Sequence, residues 1–335
     1  MVLSFVGISS GILHDFGSRV QGVGADVILQ PPNASLLFSL GGAAMPIKIG
    51  EKIKELKQVR RVSPVLVAVG TQDGFDMIYG IDFASFNSLG RGFRFVRGRP
   101  PSNDGEVLID DFKAQSRNLD VGGHVRLLNN EFVVCGVVEH GRGARFFVPL
   151  TALQKIVGAD DKVTLFFIES RGDVPALLRE MKDVFAGYKI LGVDEYATLM
   201  SASNFKELRI SLDIIIGLAA LISFLVILMT MYTSVLERVS EIGIRRVVGA
   251  RRGDIMRQIL METVVLTLAG FVLGITITYL LKVGLIVAKP TFSILIHGDW
   301  MLKTALIALA SSLLGAAYPA YRASRLDPAR AVAHE

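Results

Sequence analysis

The sequence contains few of the side chains that build metal centres or covalent cross-links. Its one cysteine, Cys135, excludes an internal disulfide bond and a cysteine-based metal cluster. Because Cys135 lies in an apolar run, we interpret it as a residue packed in a strand. The histidines are widely spaced without a His-x-x-x-His pair, so no metal site is predicted. They are His14, His124, His140, His297 and His334.

Nucleotide-binding motifs are also missing. The P-loop pattern Gly-x-x-x-x-Gly-Lys-Ser/Thr does not occur anywhere in the 335 residues. A hydrolytic triad can be assembled from residues that are distant in the sequence, so one sequence does not exclude it. We predict that the chain is not an enzyme and that it has no catalytic residues, no bound cofactor and no metal.

Long apolar stretches are abundant in the last third of the chain. The sequence is 51% hydrophobic with a mean hydropathy of +0.48, which exceeds the usual range of a soluble domain. Crossing a bilayer core takes about 20 apolar residues in a helix. Three stretches satisfy this requirement, at about 214–236, 260–287 and 301–321. We predict three full transmembrane helices there.

Arginines next to these stretches predict the orientation of the chain. The formal charge of +5 would suit nucleic acid, but the arginines flank the apolar stretches and are explained by retention on the cytoplasmic side. The loop 237–258 and the tail 322–335 are therefore predicted to be cytoplasmic, and the connector 288–300 and everything before the first full span to lie outside. The loop arginines are Arg238, Arg245, Arg246, Arg251, Arg252 and Arg257.

The first 20 residues begin with an apolar segment that is too short to cross a bilayer. Residues 1–13 would span only about half of the hydrocarbon core, and no basic region precedes them as in a signal peptide. We predict that residues 1–20 are the end of a truncated first transmembrane helix. A short surface helix packed on the membrane domain is the alternative.

Residues 21–205 have the pattern of an α+β domain. Short apolar strands alternate with short helices, and residues 65–160 interrupt a set made from both ends, which predicts two lobes. Asn129-Asn130 between two apolar runs predicts a hairpin, because asparagine tolerates positive φ. Residues 47–59 are predicted as a helix, and a further helix from about Glu195 is predicted to continue into the membrane.

Three segments resemble one family of transport proteins. They are the loop ERVSEIGIRRVVGARRGDIMRQ (237–258), the ending YRASRLDPARAV (321–332) and the segment GVGADVILQPP (22–32). These resemble MacB/FtsX-type (LolC/LolE-like) ABC transporter permeases. The resemblance implies four transmembrane helices, a MacB-like periplasmic core domain after the first, and an FtsX-like permease domain at 206–335. It also implies an ABC ATPase, which we expect to be a separate subunit that binds the ATP.

The cytoplasmic loop has the composition of a docking segment. Gly243 and Gly249 permit bends or close backbone approach, while apolar side chains alternate with charges. The alternative is a positive anchor that contacts only lipid headgroups. The residues predicted to couple to the ATPase are Glu237, Glu241, Ile242, Gly243, Ile244, Arg245, Arg246, Gly249 and Ala250.

Two further patterns are less specific. Gly270 and Gly274 form a Gly-x-x-x-Gly pair that favours close helix packing and is a candidate subunit interface. A basic stretch in the outer domain is interpreted as a solvated loop, with binding of an anionic lipid or partner as the alternative. It consists of Arg91, Arg94, Arg97 and Arg99.

These observations predict a multi-pass permease of the bacterial inner membrane. It would pair with a second permease copy, as a homodimer or heterodimer, and relay ATPase closure to its periplasmic domain. The expected substrate is hydrophobic: a lipid, a lipoprotein or a drug-like molecule. A periplasmic adaptor or lipid carrier and membrane lipid are further expected partners, and nucleic acid is not. The alternative is an FtsX-like signal relay that activates a periplasmic cell-wall enzyme; a sensor receptor is disfavoured.

Overall fold

The computed structural model describes residues 2–32, 34, 44–70, 76–199, 206–288 and 298–325. They divide into two compact units. A helical unit is formed within residues 1–9, 206–284 and 294–335, and an α+β unit within residues 10–205 and 285–293. Parts of the predicted outer connector (289–297) and tail (326–335) lie outside the described residues. So does the predicted helical continuation through residues 200–205.

The α+β unit contains all of the described strands. Their bounds are β1 Val27–Gln30, β2 Met45–Pro46, β3 Val59–Gly70, β4 Asp76–Ile81, β5 Phe95–Gly98, β6 Glu106–Asp110, β7 His124–Leu127, β8 Asn130–Val138, β9 Phe146–Pro149, β10 Lys162–Val163, β11 Leu165–Ser170 and β12 Lys189–Gly192.

The described helices are α1 Val2–Gln21, α2 Ile49–Lys54, α3 Phe83–Ser88, α4 Asp111–Arg117, α5 Leu150–Val157, α6 Val174–Val184, α7 Val193–Leu199, α8 Lys206–Glu237, α9 Val239–Val247, α10 Arg252–Ala288 and α11 Gly298–Ser324. The three longest described helices, α8, α10 and α11, belong mainly to the helical unit.

A mixed sheet organises the α+β unit. Within the described part of the chain it has ten strands in the order β12-β1-β11-β3-β4-β9-β6-β8-β5, with β7 paired to β8. The strands from the two ends of the domain form one half and those from the middle portion form the other. Antiparallel pairing of β3 with β4 joins the halves into one continuous sheet. The predicted α+β fold class is confirmed.

The predicted hairpin and the predicted helix at 47–59 both occur, with bounds that differ by one to five residues. The predicted hairpin is present, with Leu127 paired to Asn130, but its turn lies one residue earlier than expected. Leu128 and Asn129 have positive φ values of 49° and 63°, as a tight two-residue hairpin requires. The predicted helix at 47–59 is shorter, because α2 ends at Lys54 and the β-branched Val59 begins β3.

The second half of α1 is held in the α+β unit by a buried network of charges. Arg145 immediately precedes β9. Its guanidinium lies 3.1 Å from the Asp15 carboxylate and 2.9 Å from the Asp110 carboxylate. Arg19 donates to the Gly143 carbonyl at 3.1 Å. Gly22 follows α1 where a Cβ atom would lie only 1.8 Å from the Gly141 carbonyl oxygen. Helix α1 thus extends beyond the predicted boundary at residue 20 and is fixed at its far end.

Aromatic rings of the α+β unit pack around a buried arginine, Arg142. Phe86 and Phe93 stack 5.5 Å apart, and the Arg142 guanidinium lies over both rings. Arg142 donates to the backbone carbonyls of Phe86, Leu89 and Gly92 at the end of α3. Burial lowers the pKa of Arg142 to about 10. Arg142 therefore caps the end of α3 and joins this helix to the segment that follows β8.

One sequence interpretation in this unit agrees with the structure, and a second agrees only in part, because Arg97 of the basic stretch lies in strand β5 and not in a loop. Cys135 is buried within β8, and burial raises the pKa of its thiol to about 11. The basic stretch is exposed, and three of its members pair with carboxylates. These pairs are Arg94–Glu139, Arg97–Asp120 and Arg99–Glu106.

Within the described residues, three helices of the helical unit are long and apolar enough to cross a membrane. They are the segments Ile210–Glu237, Arg252–Leu285 and Gly298–Ser324. Helices α8 and α11 pack at Gly315, where a Cβ atom would lie 2.7 Å from the Phe224 carbonyl oxygen. Small residues four apart continue this contact along α11 and are buried. They are Ser312, Ala316, Ala320 and Ser324.

We expect Gly315→Ala to lower the free energy of unfolding of the purified chain in detergent by about 1–3 kcal/mol, because the added methyl group forces α8 and α11 apart. Gly217→Ala on α8 is the matched control, since nothing lies within 4 Å of its Cβ position. Alanine there should instead stabilise the helix by up to about 1 kcal/mol. Equal effects of the two substitutions would contradict the packing.

We expect Arg142→Met to lower the free energy of unfolding by about 1–3 kcal/mol, because three carbonyls lose a charged donor in a buried position. Chemical denaturation followed by circular dichroism measures the change. Arg91→Met is the control, since Arg91 is exposed in the same unit. A loss no greater than that of the control would show that Arg142 does not cap α3.

Candidate functional site

The predicted cytoplasmic loop forms a short separate helix between two spans. Helix α8 ends at Glu237, Arg238 leaves helical geometry with φ −108° and ψ 19°, and α9 then runs from Val239 to Val247. Gly249 has φ +108°, a conformation that other residues adopt only with strain. The backbone N–H of Arg251 donates to the Asp254 carboxylate at 2.9 Å and caps α10.

One face of α9 is held against α8 and α10. Ile242 and Ala250 pack on an apolar cluster at the ends of three spans. Arg245 donates to Glu241 on its own helix and to the Gln258 side chain on α10, both at 2.6 Å. Gly243 is buried inside the continuous helix α9, so it does not form the bend that the sequence allowed. The buried members of the apolar cluster are Met231, Val235, Ile255, Ile259, Ala316, Ala320 and Ala323.

The opposite face of α9 is exposed and mostly apolar. Ile244 is 54% exposed, Val247 66% and Val248 83%. Exposed arginines follow at Arg251 and Arg252. Apolar side chains of this size are seldom left grouped on a surface unless that surface contacts something else. The face therefore offers an apolar contact area edged by positive charge.

The structure brings most of the predicted coupling residues together on and around α9, but some of them face the helical unit and others face away from it. Ile242, Gly243 and Ala250 face inward, whereas Ile244 faces outward and Glu237 is exposed at the end of α8. Sequence reasoning did not include Gln258 and Glu262, which contact arginines of the loop. Gln258 and Glu262 are four residues apart and therefore lie on one face of α10. This spacing could have indicated a polar contact face on the helix.

The glycine pair of α10 borders a groove in the helical unit. Gly270 and Gly274 line a space of about 410 Å³ together with residues of α8 and α11 and with Leu3 of α1. No atom lies within 4 Å of a Cβ built at either glycine. Among the described residues the close helix contact is made at Gly315, and a role of the glycine pair in subunit contact stays a prediction.

A serine motif in α1 does not form a nucleophile elbow. The segment 7–11 reads Gly-Ile-Ser-Ser-Gly and fits the pattern Gly-x-Ser-x-Gly of serine hydrolases. That pattern needs a sharp turn between a strand and a helix to expose the serine. Here the five residues lie within the continuous helix α1.

Two family models match the chain and together cover most of it. Residues 1–184 match the MacB-like periplasmic core domain, and residues 214–328 match the FtsX-like permease C-terminal model. The chain belongs to the MacB/FtsX-type family of ABC transporter permeases. The resemblance seen in the loop and the tail is confirmed. The family and the apolar helices make the chain a membrane protein with an extracytoplasmic domain.

Curated relatives with the family name are similar over much of the chain. The macrolide export ATP-binding/permease protein MacB of Shewanella sp. (strain W3-18-1) is 25% identical over 100% of this chain and 56% of its own length. MacB 2 of Aeromonas hydrophila is 31% identical over 60% of this chain and 33% of its own length. The chain thus spans between a third and just over half of these relatives.

Solved structures include an extracytoplasmic relative. The periplasmic region of MacB from Actinobacillus actinomycetemcomitans is 16% identical, with a TM-score of 0.40, and the match covers 52% of this chain and 90% of that one.

Proposed function

We propose that the chain is the permease component of an ATP-driven transporter and that it relays ATPase closure to its extracytoplasmic domain. The two matching family models support this role. The relatives are named as ATP-binding/permease proteins. These 335 residues contain no P-loop, so ATP would be hydrolysed by an ABC ATPase outside them.

The exposed face of α9 is the proposed docking surface for the ATPase. It consists of Ile244, Val247 and Val248, which are each more than half exposed, beside Arg251 and Arg252. Burying this apolar face in a cleft of the partner would supply binding energy, and the arginines would add charge complementarity. This face is the single observation on which the proposal depends.

Docking at α9 would act on two spans at once. Helix α8 precedes α9 and helix α10 follows it, so a push on α9 reaches both. The hydrophobic substrate would be a lipid, a lipoprotein or a drug-like molecule, and the names of the relatives favour the last class. The proposed setting is the bacterial inner membrane, with a second permease copy and an adaptor or lipid carrier outside.

An FtsX-like relay that activates a cell-wall enzyme would use the same docking surface. It differs in its outer partner and in moving no substrate. Efflux of a macrolide or another hydrophobic compound that depends on ATP and on this chain supports transport. Copurification of a cell-wall hydrolase without any such movement would replace transport by the relay.

We expect the double substitution Val247→Glu and Val248→Glu to abolish copurification of the ATPase and ATP-dependent transport. Both side chains are exposed, so membrane insertion and folding should be retained. Carboxylates would remove the apolar contact and repel an acidic cleft. Quantitative pull-down from membranes and ATPase assays of the purified complex measure the effect.

The control is Val184→Glu, which places the same charge at a valine that is 54% exposed in the α+β unit. It should leave ATPase binding unchanged. Normal ATPase binding and transport in the α9 double variant would exclude α9 as the docking surface.

A further inference from the structure

Two polar links connect the segment around α9 to a single face of α10. Arg238, at the break between α8 and α9, donates to the Glu262 carboxylate at 3.3 Å. Arg245, in the last turn of α9, donates to the Gln258 amide oxygen at 2.6 Å. Gln258 and Glu262 are four residues apart, so they lie one above the other on α10. Both ends of α9 are thereby joined to the same helix.

Backbone geometry alone holds α9 weakly. Arg238 interrupts the helix before it, and Gly249 forms a turn after it where no atom lies within 4 Å of a Cβ position. Ile242 in α9 and Ala250 after it pack on the apolar cluster, but neither of these contacts is directional. The side-chain links at Arg238 and Arg245 therefore determine the angle of α9 relative to α10.

Glu262 is an unusual residue for its position. It follows the first residues of the predicted span 260–287, and a carboxylate at that depth is costly unless it is paired. The pairing with Arg238 compensates this charge, although both side chains remain partly exposed. Ion pairs of this exposure are weak and open readily. A weak ion pair of this kind can set the orientation of α9 and can still be broken and remade during an ATPase cycle.

We propose that Gln258 and Glu262 are positioning residues that transmit the movement of α9 to α10. The proposal rests on the proposed function, because α9 is taken as the surface that the ATPase pushes. Movement of α9 then passes through Arg245–Gln258 and Arg238–Glu262 into α10. Without these links α9 would be held to α10 by non-directional apolar contacts only, and less of its movement would reach α10.

The first experiment measures the orientation of α9 without the ATPase. Spin labels are attached to Val248→Cys and Val265→Cys, both exposed positions, in a chain that carries Cys135→Ala and is reconstituted in nanodiscs. We expect the double variant Gln258→Leu and Glu262→Gln to widen the distance distribution at least twofold. Arg257→Gln, an exposed neighbour on α10, is the control and should leave the width unchanged.

The second experiment measures transmission in the purified complex with the ATPase. The links act after docking, so the double variant should keep its ATPase affinity within about twofold of the unsubstituted chain. Transport per ATP hydrolysed should fall at least fivefold. The exchanged pair Arg238→Glu with Glu262→Arg should recover more coupling than either single substitution, which loss of charge alone would not explain.

Three results would overturn this assignment. An unchanged distance distribution in the double variant would show that the links do not hold α9. A widened distribution with normal coupling would show that the links are structural only. Failure of the ATPase to bind the unsubstituted chain would reject the proposed function itself, and the label distances would still report separately whether the links exist.

Discussion

Positive charge between two apolar helices is the constraint on which the account depends. Helices α8 and α10 are long enough to cross a bilayer, and six arginines that resist translocation lie in the segment between them and in the first two turns of α10. By the positive-inside rule we expect α9 on the cytoplasmic side, across the membrane from the extracytoplasmic domain. If α9 is cytoplasmic, its exposed apolar face can bind only a partner that is inside the cell. Reversal of this orientation would leave that face without a role in energy coupling.

The structure gives the cytoplasmic segment two distinct sides. Its inward side consists of Ile242 and the links of Arg238 and Arg245, and its outward side consists of Ile244, Val247 and Val248. A segment that served only to bind lipid headgroups would need the arginines but not an ordered apolar face. In the α+β unit, the Arg145 network fixes the second half of α1 to the strands. Both features are consistent with the relay role that we propose.

Patterns that are local in sequence were predictable, and contacts between distant residues were not. The apolar runs predicted the three spans, the pair Asn129-Asn130 predicted the hairpin to within one residue, and the repeated glycines and arginines identified the loop. Gly270 and Gly274 attracted attention because two glycines stand four apart, yet the close helix contact is at Gly315. The sequence pattern that marks this contact is a row of small residues along α11. Such a row is harder to recognise in a sequence than a pair of glycines four residues apart. Arg238 and Glu262 are 24 residues apart in the sequence, so their pairing became visible only in the folded structure.

Accessibility of α9 from the two sides of the membrane tests the orientation most directly. A chain with Cys135→Ala and Val248→Cys is treated with a maleimide that does not cross the inner membrane, first in intact cells and then after permeabilisation. A parallel chain carries Val184→Cys in the α+β unit. The account predicts that position 184 reacts in intact cells and that position 248 reacts only after permeabilisation. Labelling of position 248 in intact cells would contradict it.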